Sequence, residues 1–135
     1  MSTRLVCDAS AVVALLLDAG RHGQWVAEVL SGAELAAPSL LAFECSNIIR
    51  RHELAGLISA DQAAQAHADL LALPIEHWPY ELLGLRVWEL RMNLSSYDAS
   101  YVAVAELTQA PLVTLDRRIG RAANVRCAVM SPRPD

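Results

Sequence analysis

The sequence contains no lysine; all 11 of its basic residues are arginine. That absence removes a nucleotide-binding phosphate loop, whose lysine must reach the phosphates. It also removes any Schiff-base mechanism, which needs a lysine amine. Cysteine is scarce: Cys7, Cys45 and Cys127, with no C-x-x-C pair. An odd, scattered set suits buried free thiols in a reducing compartment. Cys7 and Cys45 each adjoin an acid, Asp8 and Glu44, the opposite of the cationic surroundings that a reactive thiolate needs. The four histidines, His22, His52, His67 and His77, show no metal-ligand spacing and are expected on the surface or satisfied in the core. Long hydrophobic runs are missing too. Arg4 followed by apolar residues resembles the start of a leader, but Asp8 interrupts the run. The uninterrupted stretch 11–17 is too short to span a bilayer. The chain therefore reads as soluble and cytoplasmic, with no membrane association.

What is present is a chain of 135 residues, 54% hydrophobic and 19% charged. Such a composition describes a globular domain with a sizeable core. One domain over 1–131 is expected, followed by a frayed tail over 132–135. The net charge is -4, so no global field draws in nucleic acid. A phosphate-backbone partner must be held by a local basic patch or through bound cations.

Hydrophobic patterning predicts short strands alternating with helices. Strands are expected over 4–7, 35–38, 75–78, 112–115 and 127–130. Helices are expected over 10–17, 25–30, 39–54, 60–73, 80–92, 96–109 and 117–123. Ser39 is read as a helix N-cap, Ser59 with Gln62 as a capping box, and Ser95 with Asp98 as a similar start. Alternation of this kind indicates an α/β fold, with a central, mainly parallel β-sheet flanked by α-helices. Ligand sites in such folds lie beyond the carboxyl ends of the strands. Asp8 and Asp116 follow predicted strands and fall on that edge.

Four of the 15 acids are placed unlike the rest. Asp8 precedes an apolar helix, where capping alone would explain it. Glu44 lies at the margin of an apolar face with Leu40, Leu41 and Ile48; an ion pair with Arg50 or Arg51 would explain it. Asp98 opens an amphipathic helix, where the helix dipole would suffice. Asp116 could likewise be a cap. Taken together, the four mark positions that can face one cleft. Carboxylates so gathered repel one another and resist ionising. Hard, oxygen-loving Mg²⁺ or Mn²⁺ relieves the repulsion, and such ions in carboxylate clusters commonly serve phosphodiester hydrolysis.

Four segments carry a family resemblance. They are Val6-Cys7-Asp8-Ala9-Ser10-Ala11, Pro38-Ser39-Leu40-Leu41-Ala42-Phe43-Glu44, Ser96-Tyr97-Asp98-Ala99-Ser100-Tyr101-Val102-Ala103 and Leu112-Val113-Thr114-Leu115-Asp116. In order and spacing they resemble the four acidic motifs of PIN-domain ribonucleases, over nearly the whole chain. The third segment is the most specific. A stand-alone domain of this length is similar to VapC-type toxins of prokaryotic toxin–antitoxin pairs. The resemblance implies a single PIN-like domain and metal-dependent endonuclease activity on RNA. It implies that Asp8, Glu44, Asp98 and Asp116 bind the metal, supported by Ser10 and Thr114. It also implies a homodimer and a small antitoxin that blocks the site. A cationic side chain inserted among the carboxylates would suit that blockade. Arg117, Arg118 and Arg121 follow the fourth acid and are candidates for gripping RNA phosphates; a solvated helix face is the alternative. Trp25, Trp78 and Trp88 suit either an interface or the core.

Rival readings fare less well. A haloacid-dehalogenase-type phosphatase also places an Asp after its first strand, but needs a second acid two residues on, where Ser10 stands, and a lysine. A receiver-type signalling domain lacks the same lysine. A PIN-fold scaffold without activity is the remaining alternative.

Overall fold

A computed structural model describes residues 3–134. Five parallel strands form one sheet in the order β3-β2-β1-β4-β5. They are β1 (Arg4–Cys7), β2 (Glu34–Pro38), β3 (Ile75–Trp78), β4 (Leu112–Val113) and β5 (Val129–Met130). Among the described residues seven helices connect and flank them: α1 (Ala9–Leu17), α2 (Arg21–Leu30), α3 (Leu40–Leu54), α4 (Ala60–Ala72), α5 (Tyr80–Glu89), α6 (Ser96–Thr108) and α7 (Arg118–Arg121). The expected α/β class and parallel sheet are found.

β1 is the centre of the sheet. Val6 pairs in register with Ala36 on one side and Leu112 on the other. Leu5, Val6 and Cys7 are buried, which is why this strand is continuously apolar instead of alternating. Helix α6 packs against β1, β2 and β4. Its seven residues from Ala99 to Ala105 are all buried, and the small side chains among them let the helix lie close to the sheet. From β1 the chain builds outward through β2 and β3, then returns to the other flank for β4 and β5. The reversal puts a topological switch point between β1 and β4, where open α/β sheets form their ligand crevices.

Several boundaries differ from expectation for local reasons. Helix α2 begins at Arg21, four residues before the predicted start. Gly23 permits this: a Cβ there would meet the Asp18 carbonyl oxygen at 1.7 Å, so its turn can press against the end of α1. Ser39 does not cap α3. Its backbone is already helical and its hydroxyl donates to the Trp78 carbonyl on β3 at 3.3 Å. At the other end of α3, Gly56 takes φ 75° and Leu57 N–H returns to the His52 carbonyl at 2.9 Å, a left-handed stop that favours glycine. α5 ends at Glu89, short of the predicted Met92, and β4 and β5 shrink to two residues each. Pro132, assigned to the tail, is buried.

Candidate active site

The central strand delivers Asp8 to the switch point. Asp8 is the N-cap of α1, and its Oδ1 accepts from Ala11 N–H at 3.0 Å and from Ser10 Oγ at 2.7 Å. Its Oδ2 accepts from Thr114 Oγ1 at 2.5 Å. The capping and site readings are thus compatible, because the cap uses one oxygen. Ser10 and Thr114 also stitch β1 to the chain after β4. Ser10 Oγ accepts from Leu115 N–H at 3.0 Å, and Thr114 Oγ1 from Asp116 N–H at 2.9 Å. Asp8 is 6% exposed. Burial pushes its carboxyl pKa up, the hydrogen bonds from Ser10, Thr114 and Ala11 pull it back, and Asp116 adds an upward push.

Glu44 stands half-buried on α3, and among the described residues no arginine pairs with it. Tyr101 on α6 donates its hydroxyl to Glu44 Oε1 at 2.5 Å. Among the described residues Arg50 and Arg51 make no ion pair with it, which removes that explanation for its position. Burial raises the Glu44 pKa, the Tyr101 hydroxyl opposes the rise, and Asp98 and Asp8 reinforce it. Asp98 lies in the first turn of α6, its backbone N–H held by Ser95 Oγ at 3.1 Å. Burial and then Asp116 raise its pKa, against a weaker pull from Arg118.

Asp116 is treated differently. Arg118 forks onto it, Nε to Oδ1 at 3.0 Å and Nη2 to Oδ2 at 2.7 Å. That pairing holds the Asp116 carboxyl below its ordinary range. Arg117 turns away and donates to the Pro132 carbonyl. Arg121 is exposed.

The four acids therefore form an electrostatic circuit. Asp116 acts on Asp8 and Asp98, Asp98 on Glu44, and Asp8 on Glu44. They are neighbours in charge, yet not a ready cage. Among the described residues, no three carboxylates, thiols or imidazoles stand close enough to enclose a metal ion as they are. The Arg118 fork already occupies both oxygens of Asp116.

A family model described as PIN domain matches residues 5–125. The chain belongs to the PIN-domain family. Ribonuclease VapC9 of Mycobacterium tuberculosis is 35% identical over 125 residues, covering 93% of this chain and 95% of the relative. The crystal structure of PAE2754 from Pyrobaculum aerophilum aligns with TM-score 0.60 and 28% identity, covering 88% of this chain and 85% of that one. The fold also matches the crystal structure of Mycobacterium tuberculosis VapC20, a sarcin-ricin loop cleaving toxin, with TM-score 0.69 at 16% identity over 96% of this chain and 99% of that one. Membership of the PIN-domain family removes the phosphatase and receiver readings.

The donor chemistry of this PIN domain fits a hard divalent cation. Apart from the Arg118 guanidinium, the polar side-chain atoms of the site are carboxylate and hydroxyl oxygens, and three of the acids are raised by burial and mutual charge, which a cation relieves. The thiols do not compete. Burial, then neighbouring acids, pushes Cys7 and Cys45 up to about 12, so both stay neutral and soft. Tyr101 is the residue that sequence reasoning missed. It is the only hydroxylated aromatic inside an otherwise small and aliphatic buried helix face, and a buried tyrosine hydroxyl needs a partner. That requirement was the available signal.

Proposed function

We propose that this PIN domain is an endoribonuclease, the toxin of a toxin–antitoxin pair, dependent on Mg²⁺ or Mn²⁺. The observation that carries the reading is the circuit of Asp8, Glu44, Asp98 and Asp116 at the switch point, with one cation, Arg118, paired among four acids. These acids would hold the ion. Bound there, such an ion would supply neutralisation of their charge and a more acidic water for phosphodiester hydrolysis. The remaining work belongs to the protein. Ser10 and Thr114 fix the Asp8 carboxylate in one orientation, and Tyr101 fixes Glu44. Acids held in place before the substrate arrives favour a preorganised site. The VapC names of the curated relatives support RNA as substrate.

The test is expression of the chain alone beside its Asp8→Asn variant, followed by RNA sizing. Growth arrest with RNA fragmentation in the unmutated case alone supports the reading. Fragmentation by neither would leave an inactive PIN-fold scaffold as the better description.

A small antitoxin is the expected protein partner, inserting a cationic side chain beside Asp8, Asp98 and Asp116. Structures of VapBC proteins that share the fold, from Rickettsia felis and Mycobacterium tuberculosis, support an antitoxin partner; the inserted cation is argued from the charge of the site alone. A groove of about 400 Å³ lined by Ser10, Val13, Leu17, Leu57 and Ile58, with Asp18 and His52 also on its wall, would seat apolar residues of that segment. Binding that weakens as Mg²⁺ is added would identify competition for the same oxygens. A homodimer is also proposed. Leu85, Trp88 and Met92 are 90%, 64% and 80% exposed along one side of α5 and the turn after it, more than isolated apolar residues on a monomer. A monomeric mass by light scattering would contradict it.

A further inference from the structure

The arginines that follow the fourth acid do not act as one group. Arg118 is committed to Asp116. Arg117 and Arg121 instead line a second groove, of about 500 Å³, together with Ser131 and Arg133 from the C-terminal segment. The groove begins one residue past Asp116. Its far wall is fixed by two bonds: Ser131 Oγ donates to the Thr114 carbonyl at 2.9 Å, and the Arg117 guanidinium donates to the Pro132 carbonyl. Those bonds bring Arg133, distant in sequence, against α7. Among the described residues Arg121 and Arg133 pair with no carboxylate. Three guanidinium groups in one groove of a protein of net charge -4 are a local reversal of sign. Among the described residues no ion pair accounts for it. Phosphate oxygens are the partners that guanidinium groups match best.

We propose that Arg117, Arg121 and Arg133 form a subsite for the backbone phosphates of single-stranded RNA flanking the scissile bond. The inference rests on the ribonuclease reading and extends it by giving the strand a path. Asp8 and Asp116 follow the ends of β1 and β4, and the groove continues toward β5 at the sheet edge. RNA lying across the carboxyl edge would place its scissile phosphate at the acids and its flanking phosphates on the arginines. No base edge is read there, so the subsite adds affinity and direction without sequence preference.

The experiment uses the full chain carrying Asp8→Asn, so that RNA survives, and a fluorescein-labelled single-stranded RNA. Anisotropy gives the affinity across a series of KCl concentrations. Each phosphate deprived of its arginine lowers the slope of log affinity against log salt by about 0.7 for a single strand. The double variant Arg121→Ala/Arg133→Ala should lower it by about 1.4. Arg50→Ala/Arg51→Ala, which removes the same charge from α3, should leave the slope unchanged. Arg121 and Arg133 are both exposed, and Arg121→Gln/Arg133→Gln provides a second pair should the alanine pair lose its fold. In the active chain the groove variant should raise KM for RNA with kcat retained. A slope equal to that of the α3 control, or no RNA binding by the parent, overturns the subsite. A slope that drops as expected in a chain that cleaves no RNA with Mn²⁺ leaves the subsite standing and defeats the ribonuclease reading instead.

Discussion

Helix α6 carries an acid near each end, and the two are housed in opposite ways. Glu106, near its C-terminus, is fully paired. Arg86 Nε reaches Oε1 at 2.6 Å, Arg86 Nη2 reaches Oε2 at 3.3 Å, and Arg126 N–H adds a bond to Oε2 at 2.8 Å. The same guanidinium donates to the Asn124 carbonyl at 2.5 Å. This cluster ties α5, α6 and the loop before β5 into one piece. Asp98, near the N-terminus, forms no ion pair among the described residues and is coupled instead to two other acids, Asp116 and Glu44. Where the fold uses a carboxylate as mortar, it supplies the partner. Where it gathers four and pairs one, the charge is left for a cation from outside.

The sharpest way to break that contrast is to neutralise each kind of acid and measure RNA cleavage with Mn²⁺. Asp8→Asn, Glu44→Gln, Asp98→Asn and Asp116→Asn should each lower kcat/KM on the order of a hundredfold or more, because such groups act as a unit. Glu106→Gln should leave the rate near normal below its melting range. Normal cleavage by Glu44→Gln would make Glu44 a structural partner of Tyr101 and remove it from the site.

Stability should show the reverse order. Removing one partner of a nearly buried ion pair costs about 3 kcal/mol, and the Arg86 and Glu106 side chains are only 14% and 13% exposed. Arg86→Ala should therefore shift the urea midpoint strongly downward. Asp8→Asn, Glu44→Gln and Asp98→Asn should be neutral or slightly stabilising without metal, since each relieves repulsion; Asp116→Asn, which weakens the exposed Arg118 pair, should cost little. Equal losses at both places would mean that the edge acids are mortar too.

Much of this contrast was legible in the sequence, and its failures have physical causes. The four acids stood out because each follows an apolar strand, opens an amphipathic helix or interrupts an apolar helix face, a local signal. The capping box at Ser59 and Gln62 was legible for the same reason and is present in full. Ser39 misled because its hydroxyl is claimed by Trp78, 39 residues away, and local patterns do not encode such partners. Pairing of Arg86 with Glu106, and of Tyr101 with Glu44, is equally nonlocal. The early start of α2 depended on the close approach at Gly23, and the shortening of β4 and β5 on sheet register, neither of which hydrophobic periodicity carries.

The pH dependence of the metal-free protein sharpens the comparison further. Asp8, Glu44 and Asp98 hold their protons to higher pH folded than unfolded. A raised carboxyl pKa means that the folded state binds more protons, so stability declines as pH rises. The contribution is full below the ordinary carboxylate range, about pH 4, and is lost as pH climbs through the raised folded values. Asp116, held low by Arg118, runs the other way and loses its contribution in acid. Three groups against one give a net fall in the urea midpoint above about pH 4. Mg²⁺ should restore it, since an ion that binds the folded state alone stabilises that state. A flat profile, with or without Mg²⁺, would show that the circuit is too well hydrated to matter.

The smallest effect concerns the one edge acid that does have a cation. Arg118 presents a fork to Asp116 in the geometry that a carboxylate accepts best. An incoming metal must displace it, so the fork competes with the ion. How strongly is set by exposure: the Arg118 side chain is 85% exposed and that of Asp116 is 26% exposed. Solvent screens such a pair and leaves it weak. Arg118→Ala should therefore tighten Mn²⁺ binding, read by calorimetry, by no more than about fivefold. Arg86→Ala should not tighten it, because that arginine faces the other end of α6. Weaker Mn²⁺ binding in the Arg118 variant would reverse the assignment: the fork would then be orienting Asp116 for the ion, as Ser10 and Thr114 orient Asp8, and would not compete with it.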